Sequence, residues 1–324
     1  MSTVVYFPSL STPALPGCAI EIYESMSDWL DARDQVIGAS ESPSIFGVGY
    51  ADESPMSVWA RKRGHMSEKP DTEALECGRV LQPAILELFS RRSGLRVQSL
   101  GEFTLCKSIA HPWLGASLDG VVVETDEGPA VVEAKNVGVF MSHEWNDDDQ
   151  PLKFQVQVQQ QMAVAGVDRA FTVGLIGGNR LRYIETRRNE KFIDVMIARL
   201  AEFMDLVESG TEPTGKWIDG SEATKKALQK VHPLDNGETC VLPLESAEWH
   251  SDLTRLKEEI YQREKEKERL SNILRQQIGD NSYGLLPDGS RYNWKHQDGR
   301  TTCSGEPDHI VKVGEPFRVL RKCK

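Results

Sequence analysis

The stretch from His111 to Lys135, HPWLGASLDGVVVETDEGPAVVEAK, sets short apolar runs between acids and turn residues. It reads as a strand ending in Asp119, an acidic turn around Thr125 to Pro129, and a second strand carrying Glu133 and Lys135. Side chains alternate across a strand, so Val131, Glu133 and Lys135 share one face while Val132 and Ala134 line the other. Val121 to Val123 and Val131 to Val132 are too apolar for an exposed hairpin, so the acids are expected to project from a sheet buried on at least one side.

Helical periods surround this pair. Ser27 is suited to cap a helix through Trp29, Leu30 and Arg33, Ser42-Pro43 to start a short one, and Met56 to Arg63 reads as another ended by Gly64. Thr72 to Gly94 gives a long amphipathic helix with Leu75, Val80, Leu81, Ile85, Leu88 and Phe89 as buried candidates. Gly78 is expected to permit close backbone approach, and Pro83 to kink the helix or mark a true start near Leu81. Pro151 opens a glutamine-dense helix, LKFQVQVQQQMAVAG, with Gln157 and Gln161 one turn apart and Val158, Met162 and Val164 in the core. Asp168 to Gly177 and Leu181 to Thr186 read as strands joined by Gly177-Gly178-Asn179, and Glu190 to Glu208 as an amphipathic helix stopped by Gly210. This alternation predicts an α/β (α+β) fold, a central mixed sheet flanked by helices.

The pattern changes past Pro213. From Ser246 to Ile278 the chain is helical and charge-rich, with Leu253, Leu256, Ile260, Leu270 and Leu274 on a roughly heptad stripe that Arg263 and Lys267 interrupt. The tail reads as a small hairpin carrying Arg318, Arg321, Lys322 and Lys324, either a DNA contact or soluble surface. The expected organisation is an N-terminal arm (1–26), a core (27–213), and a C-terminal extension (214–324) with the charged helix (246–278) and a β-hairpin tail.

At 324 residues and 39% hydrophobic, the chain can bury a substantial core. No apolar run approaches membrane-spanning length and the N-terminus lacks a secretory pattern, so a cytoplasmic location without membrane contact is expected. The six cysteines form no C-x-x-C pair, which argues against a zinc knuckle or a disulfide framework. The net charge of −11 counts against a whole-surface DNA coat while leaving room for a local basic groove.

Two acids beside an amine suit a hard divalent cation with open positions for water and phosphate, and hence metal-assisted phosphodiester cleavage. The plainer alternative is an Asp-Gly turn beside solvated surface charge. Ser40 and Ser42 read equally as a phosphate site at a helix N-terminus or as ordinary caps. The stretch with Trp145 and Asp147 to Asp149 reads as a groove cover or an acidic turn.

Taken in order, IGASESPSIFG with SPMSVWARKRG, GRVLQP, HPWLGASLDG, VVEAK, and VQVQQQMAVAGVDRAFTVGLIGG ending in LRYIETRR resemble the YqaJ-type phage recombination nucleases, relatives of lambda exonuclease within the PD-(D/E)xK superfamily. The resemblance covers about Trp29 to Pro213. It implies a restriction-endonuclease-like core and degradation of the 5′ strand of linear duplex DNA, with a single-strand annealing protein taking the exposed 3′ strand. It also implies a phage or prophage origin and a homo-oligomer, a trimer in lambda exonuclease. By the same resemblance, Asp119 and Glu133 ligate Mg²⁺ (or Mn²⁺), Lys135 positions or activates the attacking water, and Gln157 stands near the site. Arg33, Ser40 and Ser117 contact phosphate. Where the family pattern usually has a glutamate before the proline of Gly-x-x-x-Glu-Pro, this chain has Gln82, a neutral oxygen ligand that weakens the metal site. Internal cutting of DNA, or end binding with weakened catalysis, are the alternatives.

Overall fold

A computed structural model describes residues 15–67, 72–145, 149–298, 301–303, 310–313 and 317–323. The chain divides into two compact units between Asn236 and Gly237.

The first unit runs β1 (Cys18–Ile22), α1 (Met26–Asp34), β2 (Ile37–Gly38), α2 (Ser42–Ile45), α3 (Pro55–Lys62), α4 (Glu73–Ser93), β3 (Arg96–Gln98), β4 (Thr104–Ser108), β5 (Leu114–Ala116), β6 (Gly120–Val123) and β7 (Ala130–Val137). It continues with α5 (Leu152–Ala165), β8 (Arg169–Ile176), β9 (Arg180–Arg187), α6 (Glu190–Ser209) and α7 (Glu222–Val231). One sheet has the order β1-β4-β5-β2 and the other β3-β6-β7-β8-β9. In the second, β7 and β8 are parallel and every other pairing is antiparallel. Parallel neighbours need a crossover, and α5 supplies it. The mixed sheet between helices is therefore the expected α/β core.

Both faces of β7 are covered. Val132, with Val122, Phe171 and Val173, packs under Ile85, Leu86 and Phe89 of α4. Val131 faces the larger core, which holds Val158 and Met162 of α5 together with Met196, Leu200 and Phe203 of α6. Burying each such side chain contributes about 1.5–3 kcal/mol.

Several local expectations change. Ser25, not Ser27, caps α1, accepting from the Asp28 N–H. α4 begins at Glu73, with Thr72 as its cap, and runs through Pro83 without a new start near Leu81. Of its expected buried positions, Leu75, Val80 and Leu88 are exposed, while Leu86 is buried. The stripe that meets the sheet is Ile85, Leu86 and Phe89, so only the second half of the helix is covered. A Cβ on Gly78 would meet open space, so no close approach explains that glycine. The strand expected to end at Asp119 is two strands, β5 and β6, with Asp119 in the link between them. Residues 18–22, assigned to an N-terminal arm, form β1 against β4. Past Pro213, α7 packs its buried Ala227 into the main core of the first unit.

The second unit holds α8 (Ser246–Ile278), β10 (Tyr283–Leu285), β11 (Arg291–Gln297), β12 (Thr301–Cys303), β13 (Ile310–Val313) and β14 (Phe317–Lys322). In place of a single hairpin there is a three-stranded antiparallel sheet, β10-β11-β14, and a separate β12-β13 pair. Leu253, Leu256, Ile260 and Leu270 of the α8 stripe are exposed. Among the described residues no helix is long and apolar enough to cross a membrane.

Candidate active site

The spacing of two elements builds the site. Residues i and i+2 on a strand lie about 6.6 Å apart, and residues i and i+4 on a helix about 6 Å apart. Glu133 and Lys135 on β7 therefore match Gln161 and Gln157 on α5. The Gln161 amide donates to Glu133 Oε2 at 2.5 Å, and Lys135 Nζ donates to Gln157 Oε1 at 3.1 Å. Lys135 Nζ also pairs with Glu133 Oε1 at 2.6 Å. Asp119 joins from the adjacent link, its Oδ2 accepting from the Ala134 N–H at 2.8 Å. That bond ties Asp119 to the residue between Glu133 and Lys135.

The electrostatics follow from burial. Glu133 is only 4% exposed. Burial, reinforced by the charge of Glu133, pushes the Asp119 carboxyl up to about 8, against the opposing pull of Lys135 and the Ala134 N–H. Burial draws the Lys135 ammonium down, but the charge of Glu133 and its hydrogen bond, with Tyr50 and Asp119, outweigh this and hold it at about 12. Lys135 is thus a fixed cation at neutral pH, while the raised Asp119 carboxyl keeps its proton until the pH approaches about 8.

An aromatic wall closes one side. Lys135 Nζ lies 4.8 Å from the centre of the Phe154 ring, and Phe154 packs on Trp145 at 5.7 Å. Gly174 is the cross-strand partner of Lys135. A Cβ there would come within 2.8 Å of the Trp145 ring, so the absent side chain makes room for that wall.

A second cluster gathers the other expected contacts. Arg33 Nη2 donates to Ser40 Oγ at 3.4 Å. The neighbouring Glu41 accepts from the Gly38 N–H at 2.8 Å and pairs with Lys62 at 2.9 Å and Arg61 at 3.5 Å. Burial raises the Glu41 carboxyl, but Lys62, Arg61 and Arg33 overcome this and hold it below its ordinary value. This segment is braced to α5 by Gln160, which is fully buried and donates to the carbonyls of Ile37 and Gly115 at 2.8 and 2.9 Å. Ser42 Oγ donates to the same amide, so Ser42 is a buried brace. Ser117 follows β5 directly, and its buried hydroxyl has no hydrogen-bond partner among the described residues.

Gln82 stands apart from these bonds. It is half-buried on the α4 stripe that continues to Ile85 and Leu86, and among the described residues it makes no hydrogen bond to Asp119, Glu133 or Lys135. Phe154 and Gly174 carry no motif that marks them in the sequence, whereas Gln161 is placed on one helix face with Gln157 by its spacing. The four-residue Gln157 to Gln161 interval above the two-residue Glu133 to Lys135 interval is the signal that relates the glutamines. Of the expected groove-covering stretch, Trp145 is buried, and Asp147 and Asp148 lie outside the described residues.

The donor set fits a hard divalent cation. Mg²⁺ keeps several waters and uses one or two carboxylates. Among the described residues no three His, Cys, Asp or Glu side chains form a cage. Asp119 and Glu133 supply two carboxylates, and each engaged oxygen keeps a further lone pair. An added cation would also relieve the crowding that pushes the Asp119 carboxyl upward.

Residues 28–168 match the family model described as YqaJ-like viral recombinase domain. The chain is similar to the uncharacterized protein YqaJ of Bacillus subtilis (strain 168), 27% identical over 267 residues that cover 81% of each chain. Among solved structures, it is similar to an alkaline exonuclease from Laribacter hongkongensis, with a TM-score of 0.45, 16% identity, and coverage of 57% of this chain and 94% of that one. It is also similar to a phage-related exonuclease from Haemophilus somnus 129PT, with a TM-score of 0.43, 12% identity, and coverage of 54% and 94%.

Proposed function

We propose that this protein is a metal-dependent deoxyribonuclease, an exonuclease that degrades the 5′ strand of linear duplex DNA and exposes a 3′ strand for recombination. The observation that carries this reading is the gathering of Asp119, Glu133 and Lys135 within hydrogen-bond reach of one another or of their connecting backbone, under Gln157 and Gln161. The recombinase-type domain supports the place in recombination.

Asp119 and Glu133 would hold Mg²⁺ (or Mn²⁺), which when bound polarises the scissile phosphate and lowers the pKa of water. Gln161 fixes the rotamer of Glu133. Lys135, an ammonium at neutral pH, acts as a fixed charge that orients water and steadies negative charge developing on the phosphate. As a cation it has no lone pair with which to take a proton. Gln157 holds that ammonium in place. Arg33, Ser40 and Ser117 are the proposed phosphate contacts, and Gln82 the proposed neutral metal ligand. A single-strand annealing protein is the proposed downstream partner, and a homo-oligomer the proposed assembly.

The test is incubation of linear and closed circular duplexes with Mg²⁺. The linear duplex is expected to lose its 5′-labelled strand while the circle stays intact, and Glu133→Gln to abolish the loss. Cutting of the circle would replace this reading with an endonuclease. No cleavage with Mg²⁺ or Mn²⁺, by this protein or by Gln82→Glu, would leave a DNA-end-binding protein.

A further inference from the structure

The cationic tail forms a face of its own within the second unit. Cross-strand partners in an antiparallel sheet point to the same side, and alternate residues along a strand share it. In the second unit, Tyr283 pairs with Asn293, which pairs with Arg321, while Lys295 pairs with Val319 and Gln297 with Phe317. One face of the β10-β11-β14 sheet therefore presents Arg291, Lys295 and Arg321 together with Tyr283 and Phe317. Tyr283 is 45% exposed and Phe317 55%. The opposite face is already occupied. A Cβ on Gly284 would sit 2.7 Å from Ile278, and Arg318 stacks 3.7 Å from the centre of the Trp294 ring.

The three cations are held ready without being neutralised. Arg291 and Lys295 flank the Tyr283 ring at 5.1 and 4.8 Å from its centre. Among the described residues Arg321 reaches only the neutral Gln297, at 3.5 Å. None of the three has an ion pair among the described residues. The three strands contain Arg291, Lys295, Arg318, Arg321 and Lys322 and not one Asp or Glu, in a chain whose net charge is −11. By contrast, the cations of the first unit around Glu41 are tied to buried carboxylates.

Unpaired cations interleaved with exposed flat rings match a ligand that repeats a negative charge and a planar ring. From this register we infer that the β10-β11-β14 face binds a single nucleic acid strand, with Arg291, Lys295 and Arg321 on phosphates and Tyr283 and Phe317 stacking on bases. Arg291 and Lys295 stand four residues apart on β11, about 13 Å along an extended strand, so a short run of nucleotides spans them. The inference does not rest on the nuclease reading, because the face belongs to the second unit.

The test uses the full-length protein in EDTA, which removes divalent metal, and a fluorescein-labelled oligothymidylate followed by anisotropy. The protein is expected to bind the strand with an affinity that falls as salt rises. In the Arg291→Gln, Lys295→Gln, Arg321→Gln triple variant, the slope of log K against log salt is expected to flatten by about 2, at roughly 0.7 for each phosphate that is no longer neutralised. Tyr283→Ala, which leaves every charge in place, is expected to weaken binding by about tenfold with the slope unchanged. Unchanged binding in both variants, or no binding by the parent protein, would overturn the assignment. Cleavage of a short linear duplex with Mg²⁺, run on the same proteins, separates the two proposals: a failure there touches the nuclease reading alone.

Discussion

Gln161 and Glu133 meet at 2.5 Å, amide to carboxylate, in a part of the core where Glu133 is only 4% exposed. The other oxygen of Glu133 is held by Lys135 at 2.6 Å. A carboxylate fixed at both ends presents its remaining lone pairs in one direction, which is what an ion site requires.

Removing the amide should loosen the ion site and leave the chemistry. For Gln161→Ala, the Mg²⁺ concentration giving half-maximal cleavage is expected to rise about tenfold, the usual effect of losing a group that orients a metal ligand. The rate at saturating Mg²⁺ should move much less. A titration of initial cleavage rate against Mg²⁺ separates the two effects, and an unchanged midpoint would remove Gln161 from the site.

Lys135 tests the opposite case. Its ammonium, held at about 12, is charged at every working pH, so Lys135→Ala removes a fixed positive charge and no general base. Cleavage is expected to fall by about 10²–10³ while binding of a linear duplex persists. Retained turnover would take Lys135 out of the mechanism.

Asp119 predicts a pH dependence with a definite sign. Its carboxyl lies at about 8 in the folded protein against an ordinary value of 3.8. The folded state therefore holds that proton more tightly than the unfolded state does. This stabilisation is complete below about pH 4 and is lost as pH rises towards about 8. The metal-free protein should show a lower Tm at the alkaline end of that window than at the acid end. Added Mg²⁺ should raise the Tm most at the alkaline end, where both carboxylates are ionised. Thermal melts in EDTA and in Mg²⁺ across the window check this, and a Mg²⁺ effect independent of pH would contradict it.

Gln160 makes a structural prediction. Its fully buried amide donates to the carbonyls of Ile37 and Gly115. Gln160→Ala leaves both carbonyls and Ser42 without that partner and opens a cavity, which is expected to cost about 3 kcal/mol. Urea denaturation should show a lower midpoint at an unchanged m-value.

What could be read in advance depended on how local the determining interactions are. The alternation of Val131, Glu133 and Lys135 against Val132 and Ala134 is a property of one strand, and β7 obeys it. The turn at Gly177 and Gly178 is equally local, and both glycines adopt positive φ between β8 and β9. The burial of α4 is a tertiary matter. Leu88 and Leu86 are both apolar, and only the position of the sheet decides that Leu86 is covered and Leu88 is not. The glutamines of α5 illustrate the same limit. Their density was visible, but Gln161 finds Glu133, Gln160 finds Ile37 and Gly115, and Gln159 finds Arg187 and Asn189 only once distant segments are assembled. The pairing of Asn293 with Arg321 likewise depends on a strand some thirty residues further on.

Asp119 and Glu133 are proposed to hold a divalent cation together, beside Lys135. Diffraction from crystals soaked in Mn²⁺, with the ion located by its anomalous signal, tests it most directly. One strong peak is expected within bonding distance of carboxylate oxygens from both Asp119 and Glu133. A peak bound by other residues, or none at saturating Mn²⁺, would contradict it.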